Sequence, residues 1–140
     1  MKLDKVLYTA QATATGGRKG RVVTPDDKLD LNLTPPVEMG GTGEGTNPEQ
    51  LFACAYSACF LGAIHHVAEQ QKLQVPADAS ITGLVGIGTI PKGFSIQVEL
   101  KISLPGMDRG AALALIHEAH VVCPYSNATR GNIEVGLTLV

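Results

Sequence analysis

Charge is the scarcest feature of this chain. Its 140 residues include 11 Lys+Arg and 13 Asp+Glu, or 17%, where soluble proteins average roughly 25%. There is no basic excess. A formal net charge of −2 argues against the basic stripe that marks a nucleic-acid binder. No seven-residue apolar stretch follows Met1-Lys2-Leu3-Asp4-Lys5, so no secretory leader is legible. The longest run without charge or histidine in the apolar middle spans 50–64, or 15 residues, fewer than the roughly 20 of a bilayer span. These absences lead to the expectation of a cytoplasmic protein with no membrane span, in which a permanent disulfide is disfavoured. Internal repeats are absent, and the one biased tract is the glycine run over 40–45.

The length fits a single domain over 1–140 that buries roughly two-thirds of its unfolded surface. With 44% apolar residues, the chain is short of charge rather than greasy. Part of its surface is therefore expected to be covered, most simply by a second copy.

Residues 5–15 read as a strand, Gly16 to Arg21 as a turn with three basic residues, and 21–24 as a short strand. Leu29, Leu31 and Leu33 then alternate with polar residues, the period of a half-buried strand. These N-terminal strands and their loop occupy 1–46. Asn47-Pro48-Glu49-Gln50 is a helix start: a capping residue, Pro at the first helical position and Gln three residues after the cap. The helix is expected over 47–73. Between Leu51 and Ile64 it is apolar on every side, with hydroxyls only at Tyr56 and Ser57. A helix apolar all round reads as buried all round, hence the central rod of the fold.

Over 77–140 the pattern gives strands, a second helix and a closing strand. Phe94, Ile96, Val98, Leu100, Ile102 and Leu104 alternate without a miss, the clearest strand in the chain. Asp108 caps a helix reaching Val122, Cys123-Pro124 breaks it and opens a short one, and Ile133 to Leu139 alternate again. The class is α+β.

The three cysteines divide by position. Cys54 and Cys59 share the central helix, and five residues at about 100° each set them about 140° apart, so they cannot pair. By spacing alone Cys59 reads first as a small packing residue on an apolar helix, and less readily as a reactive thiol. Cys123, before Pro124, is either a mark of a helix break or a thiol at a helix N-terminus, where backbone N–H groups lower its pKa. A metal is the rival reading: His117, His120 and Cys123 recur every third residue, and His65-His66 add nitrogens. The paired short spacings of a zinc site are missing, so no metal is expected, and His117 and His120 are expected to face solvent. The glycine run precedes a helix N-terminus but lacks a phosphate-loop lysine, and Glu44 and Glu49 oppose an anion; it reads as a flexible loop. Taken alone, Arg18 is a turn residue and Glu49 a carboxylate complementing a helix dipole.

Four segments change that reading: Gly16-Gly17-Arg18, Gly45-Thr46-Asn47-Pro48-Glu49-Gln50-Leu51-Phe52, Ser57-Ala58-Cys59-Phe60-Leu61-Gly62 and Val122-Cys123-Pro124-Tyr125-Ser126-Asn127-Ala128-Thr129-Arg130-Gly131-Asn132. Together, in order and over essentially the whole chain, they resemble the Ohr/OsmC family of thiol peroxidases. Tyr125 to Asn132 favour its organic hydroperoxide resistance (Ohr) branch. The resemblance implies an Ohr/OsmC-like fold, with antiparallel sheets packed around a long buried central helix in an intertwined homodimer. It implies a cysteine-based peroxidase without metal, haem or other bound cofactor. Cys59 matches the peroxidatic cysteine, Cys123 the resolving cysteine, and Arg18 and Glu49 the polar pair beside the reactive sulfur. Cys54 stands where relatives often carry a small residue and is assigned to packing. The implied substrates are organic hydroperoxides, including those of fatty acids. The implied electron donor is an external dithiol such as dihydrolipoamide or a lipoylated protein.

One geometric expectation follows. Glu49 and Cys59 are ten residues apart on one helix, about 15 Å along its axis. Glu49, and Arg18 with it, is therefore expected to reach Cys59 from the other subunit. Two alternatives stand beside this reading: an OsmC-type peroxidase of different substrate preference, and a non-catalytic dimer that holds an apolar ligand. The second has no use for Cys59, Cys123 and Arg18 together.

Overall fold

The computed structural model covers residues 1–140 and resolves into two compact units, Met1–Pro48 and Glu49–Val140. In the first, β1 (Thr13–Thr15), β2 (Arg21–Val23) and β3 (Asp30–Asn32) form an antiparallel sheet in chain order. The strand expected over 5–15 is reduced to its last three residues, and 5–12 carry no strand pairing. Thr and Ala alternation supplied a period there, but no neighbour pairs with it. The β1–β2 connection is a single turn of 3₁₀ helix over Gly17–Lys19. It closes so tightly that a Cβ at Gly20 would lie 1.7 Å from the Thr15 carbonyl oxygen, so only glycine fits. The Arg21 guanidinium donates to both carboxylate oxygens of Asp30 at 2.6 Å across β2 and β3, a bidentate pair.

The second unit is built on α1 (Pro48–Gln70), followed by β4 (Ser80–Ile90), β5 (Gly93–Ser103), α2 (Arg109–Val122), α3 (Pro124–Thr129) and β6 (Val135–Leu139). β4 and β5 pair antiparallel along their full length. β6 then adds to the far edge of β5 in parallel, so this sheet is mixed rather than wholly antiparallel. Period-two patterning reveals that a strand exists and which face it buries, not its direction. A parallel neighbour needs a crossover connection, and α2 with α3 supplies it.

The core lies between this sheet and the helices. Tyr56, Phe60, Ile64 and Val67 of α1 meet Val98, Leu100 and Ile102 of β5 and Ala112, Leu115, Ile116 and Ala119 of α2. Each of the larger side chains contributes about 1.5–3 kcal/mol by leaving water. α1 lies so close to β4 that a Cβ at Gly83 would be 2.5 Å from Ser57 Oγ.

The uniform burial expected for α1 does not hold within one chain. Tyr56, Phe60, Ala63, Ile64, Val67 and Ala68 are buried, while Cys54, Ala58 and Gly62 are exposed. That open face consists of small residues. By length and composition α1 is long and apolar enough to cross a membrane, which the 15-residue count did not suggest; its packing against β5 and α2 accounts for the apolarity of one side. α2 starts as expected, with Asp108 Oδ2 accepting from the Ala111 N–H at 3.0 Å.

Candidate active site

The site in the second unit is assembled where α1 meets the α2–α3 junction. Cys123 ends α2, its N–H bonding the Ala119 carbonyl, and is at once the N-cap of α3, with Pro124 at the first helical position. Pro fits there because that N–H has no helical partner. The heptad from Ile116 to Cys123 keeps the sulfur on the inward face of α2, and Cys123 is fully buried. Its Sγ lies 3.9 Å from Cys59 Sγ, and both thiols are free. Cys54 is exposed on the opposite side of α1.

Burial pushes the Cys59 thiol up from its ordinary value. Negative charge at Cys123 adds to this, and the Tyr125 backbone N–H opposes it by favouring the thiolate. That N–H belongs to the first turn of α3, where amide donors lack helical acceptors. In this unit the short helix thus presents both a second sulfur and an anion-stabilising donor to Cys59.

A buried hydroxyl cluster lies beside the sulfurs. Tyr56 Oη is 2.9 Å from Ser126 Oγ and 3.2 Å from Thr129 Oγ1, and Thr129 donates to the Tyr125 carbonyl at 2.9 Å. The rings of Phe52, Tyr56 and Tyr125 pack mutually at 5.7–6.0 Å. On the Tyr125 side opens an apolar hollow of about 500 Å³, lined by Phe52, Phe94, Ile96, Tyr125, Thr129 and Ile133. Phe94, the first residue of the alternating run, is 73% exposed at its rim instead of in the core.

Glu49 sits in the first turn of the same unbroken helix as Cys59, about 15 Å away along the axis by helical rise. Arg18 belongs to the first unit, on the 3₁₀ turn over Gly17–Lys19. No group of three or more His, Cys, Asp or Glu side chains converges as metal ligands. His65, His66 and His117 are exposed. His120 departs from its expected solvent position: it is half-buried, its ring 6.3 Å from that of Phe60, and its Nδ1 is buried without a partner. Burial lowers its pKa, and the charges of Arg130 and His117 lower it further.

Sequence reasoning missed the hydroxyl cluster. Tyr56 stood out as one of two hydroxyls on an apolar helix, and its partners were visible as Ser126 and Thr129, three residues apart on a short helix. Only the packing of α3 on α1 joins them.

Comparison with known proteins agrees with this architecture. The OsmC-like protein family model matches residues 41–138. An organic hydroperoxide resistance protein of Xanthomonas axonopodis pv. citri is 61% identical over 137 residues, covering 97% of this chain and 96% of the relative. OhrB of Bacillus subtilis is 44% identical over 135 residues, covering 95% and 98%. Among solved structures, an organic hydroperoxide resistance protein from Legionella pneumophila superposes with a TM-score of 0.91 at 50% identity, covering 96% of this chain and 98% of its own. One described as a putative organic hydroperoxide resistance protein from Vibrio cholerae, with captopril bound in one of its active sites, gives 0.93 at 47% identity, covering 99% and 95%. The chain belongs to the OsmC-like family, on the branch of the organic hydroperoxide resistance proteins.

Proposed function

We infer that this protein is a thiol-dependent peroxidase that reduces organic hydroperoxides to alcohols. The observation that carries the reading is the pair of free sulfurs, Cys59 and Cys123, 3.9 Å apart on two different helices. The Cys59 thiolate attacks one oxygen of R–O–O–H. The O–O bond breaks, the alcohol R–OH leaves after taking a proton, and Cys59 becomes a sulfenic acid. The Cys123 sulfur then attacks the sulfenic sulfur, water leaves, and a Cys59–Cys123 disulfide forms. An external dithiol of the dihydrolipoamide type reduces it by exchange and is itself oxidised to a disulfide. The apolar hollow beside Tyr125 supports a substrate with a hydrocarbon tail, which gains by leaving water.

Burial raises the Cys59 pKa, so the chemistry calls for a cation. Arg18 takes that role: a guanidinium stays charged and forks toward both sulfur and peroxide oxygen, with Glu49 orienting it through a bidentate pair. In this reading the working form is a homodimer in the cytosol, and Arg18 and Glu49 serve the Cys59 of the other subunit. The exposed small-residue face of α1 supports the dimer, because it is apolar and open in the single chain. The test is consumption of cumene hydroperoxide with dihydrolipoamide, wild type against Cys59→Ser. The wild type should turn over and the variant should not; equal turnover would refute the reading.

A further inference from the structure

The Tyr56 hydroxyl takes no part in the steps above, yet it is buried and bonded to two other hydroxyls. We propose that Tyr56 is a positioning residue whose hydroxyl fixes the seat of α3 on α1, and through it the alignment of Cys123 and the Tyr125 N–H with Cys59. The assignment rests on the thiol-peroxidase reading.

α3 has six residues, and a helix of that length has no standing of its own in water. Its place is set from outside. At its C-terminal end Arg130 donates to the His120 carbonyl and, at 2.7 Å, to Asn127 Oδ1. On its buried side the anchor is Tyr56. The numbering gives the geometry: Tyr56 meets Ser126 and Cys59 meets Cys123. Moving three residues forward on α1 moves three backward on α3, so the two helices run in opposite senses. The hydroxyl pair and the sulfur pair are then successive rungs of one seam, about 4.5 Å apart by helical rise. Whatever holds the first rung sets the second.

Hydroxyls make this anchor specific where methyl groups would not. If Thr129 donates to the Tyr125 carbonyl, its oxygen is free to accept from Tyr56, and the Tyr56 oxygen to accept from Ser126. Every contact is then satisfied, and the chain ends on the backbone of the residue whose N–H faces Cys59. A slip of α3 by one turn strands all three groups in a dry interior, and each stranded hydroxyl carries its own desolvation penalty. An apolar seam has no such registry and tolerates sliding. The cluster therefore confines α3 to the placement in which Cys123 is within reach.

The experiment uses the full-length protein carrying Cys54→Ser, which removes the thiol outside the site. Into this parent go Tyr56→Phe, which keeps the ring packing and removes one oxygen, and separately Ser126→Ala, a milder cut of the same seam that covers any failure of the first to fold. One equivalent of cumene hydroperoxide is added and quenched over time with a dimedone-type trap. Peptide mass mapping gives the ratio of trapped Cys59 sulfenic acid to Cys59–Cys123 disulfide. Disulfide closure should slow about tenfold or more in Tyr56→Phe, which loses two buried hydrogen bonds, and less in Ser126→Ala, which loses one. Alkylation of Cys59 against pH should move to higher pH, because the Tyr125 N–H is held less firmly against the Cys123 charge and the burial that oppose the thiolate. Unchanged closure and an unchanged pH profile, with only a lower melting temperature, would overturn the assignment. If the parent itself forms neither sulfenic acid nor disulfide, the peroxidase reading falls, and the alkylation profile alone decides whether Tyr56 positions α3.

Discussion

Replacing Cys123 with serine tests the proposed disulfide between it and Cys59. Closing a disulfide brings two sulfurs from 3.9 Å to about 2.05 Å, an approach within side-chain rotation and a small shift of α3. One sulfur within 3.9 Å of another corresponds to one molecule in a sphere of about 250 Å³, or a local concentration of about 7 M. Against about 1 mM of any competing thiol, proximity alone favours Cys123 several-thousandfold, and orientation adds to that. In Cys123→Ser the Cys59 sulfenic acid should therefore outlive that of the wild type by about a thousandfold or more under such a thiol. The assay is rapid-quench mass spectrometry after one equivalent of hydroperoxide. The wild type should show loss of two hydrogens, and the variant a gain of one oxygen that a sulfenic trap captures. Equal lifetimes, or a wild-type disulfide joining Cys59 to Cys54, would refute the reasoning.

Three further outcomes are expected. Arg18→Ala should move Cys59 alkylation to higher pH and slow it at neutral pH by about tenfold or more; an unmoved profile removes Arg18 from the site. His120, whose folded pKa lies below its ordinary value of about 6.5, binds its proton more readily when unfolded. Its contribution to stability is thus present above that ordinary value and is lost as pH falls through the folded one. His120→Gln should flatten the acid-side decline of the melting temperature, and an identical slope in the variant counts against it. Ala58→Glu places a carboxylate on the open face of α1. If that face joins two copies, the cost is several kcal/mol, and sedimentation should show monomers; a variant as dimeric as the wild type places the interface elsewhere.

Much of this architecture is legible because single side chains speak for it. The unbroken alternation from Ile96 to Ile102, the Asp108 cap and the Cys123-Pro124 break each carry a local physical signal, and each corresponds to an observed boundary or face. Relations between elements are less legible. Nothing in Val135–Leu139 states that the strand runs parallel to β5. The even apolarity of α1 conceals that one face meets β5 and α2 while Cys54, Ala58 and Gly62 stay open. His120 looks solvent-facing beside Glu118, yet its rotation on α2 turns it toward Phe60. The site follows the same division. Resemblance nominates Arg18, Glu49, Cys59 and Cys123, where spacing alone favours packing for Cys59 and leaves Cys123 ambiguous; the structure brings the two sulfurs together. The Tyr56 cluster depends on a tertiary contact across 70 residues.

The parallel pairing of β6 with β5 bears on how the protein comes into being. The β4–β5 hairpin is local and closes early, whereas β6 must cross back over α2 and α3 to reach its place, a contact of long sequence separation that forms slowly. Until it does, the chain beyond α3 has no strand to pair with. The two sulfurs are 64 residues apart in the chain, so only tertiary packing brings them together. The alignment of the two sulfurs is thus a tertiary product: a nascent or half-folded chain carries three unaligned thiols.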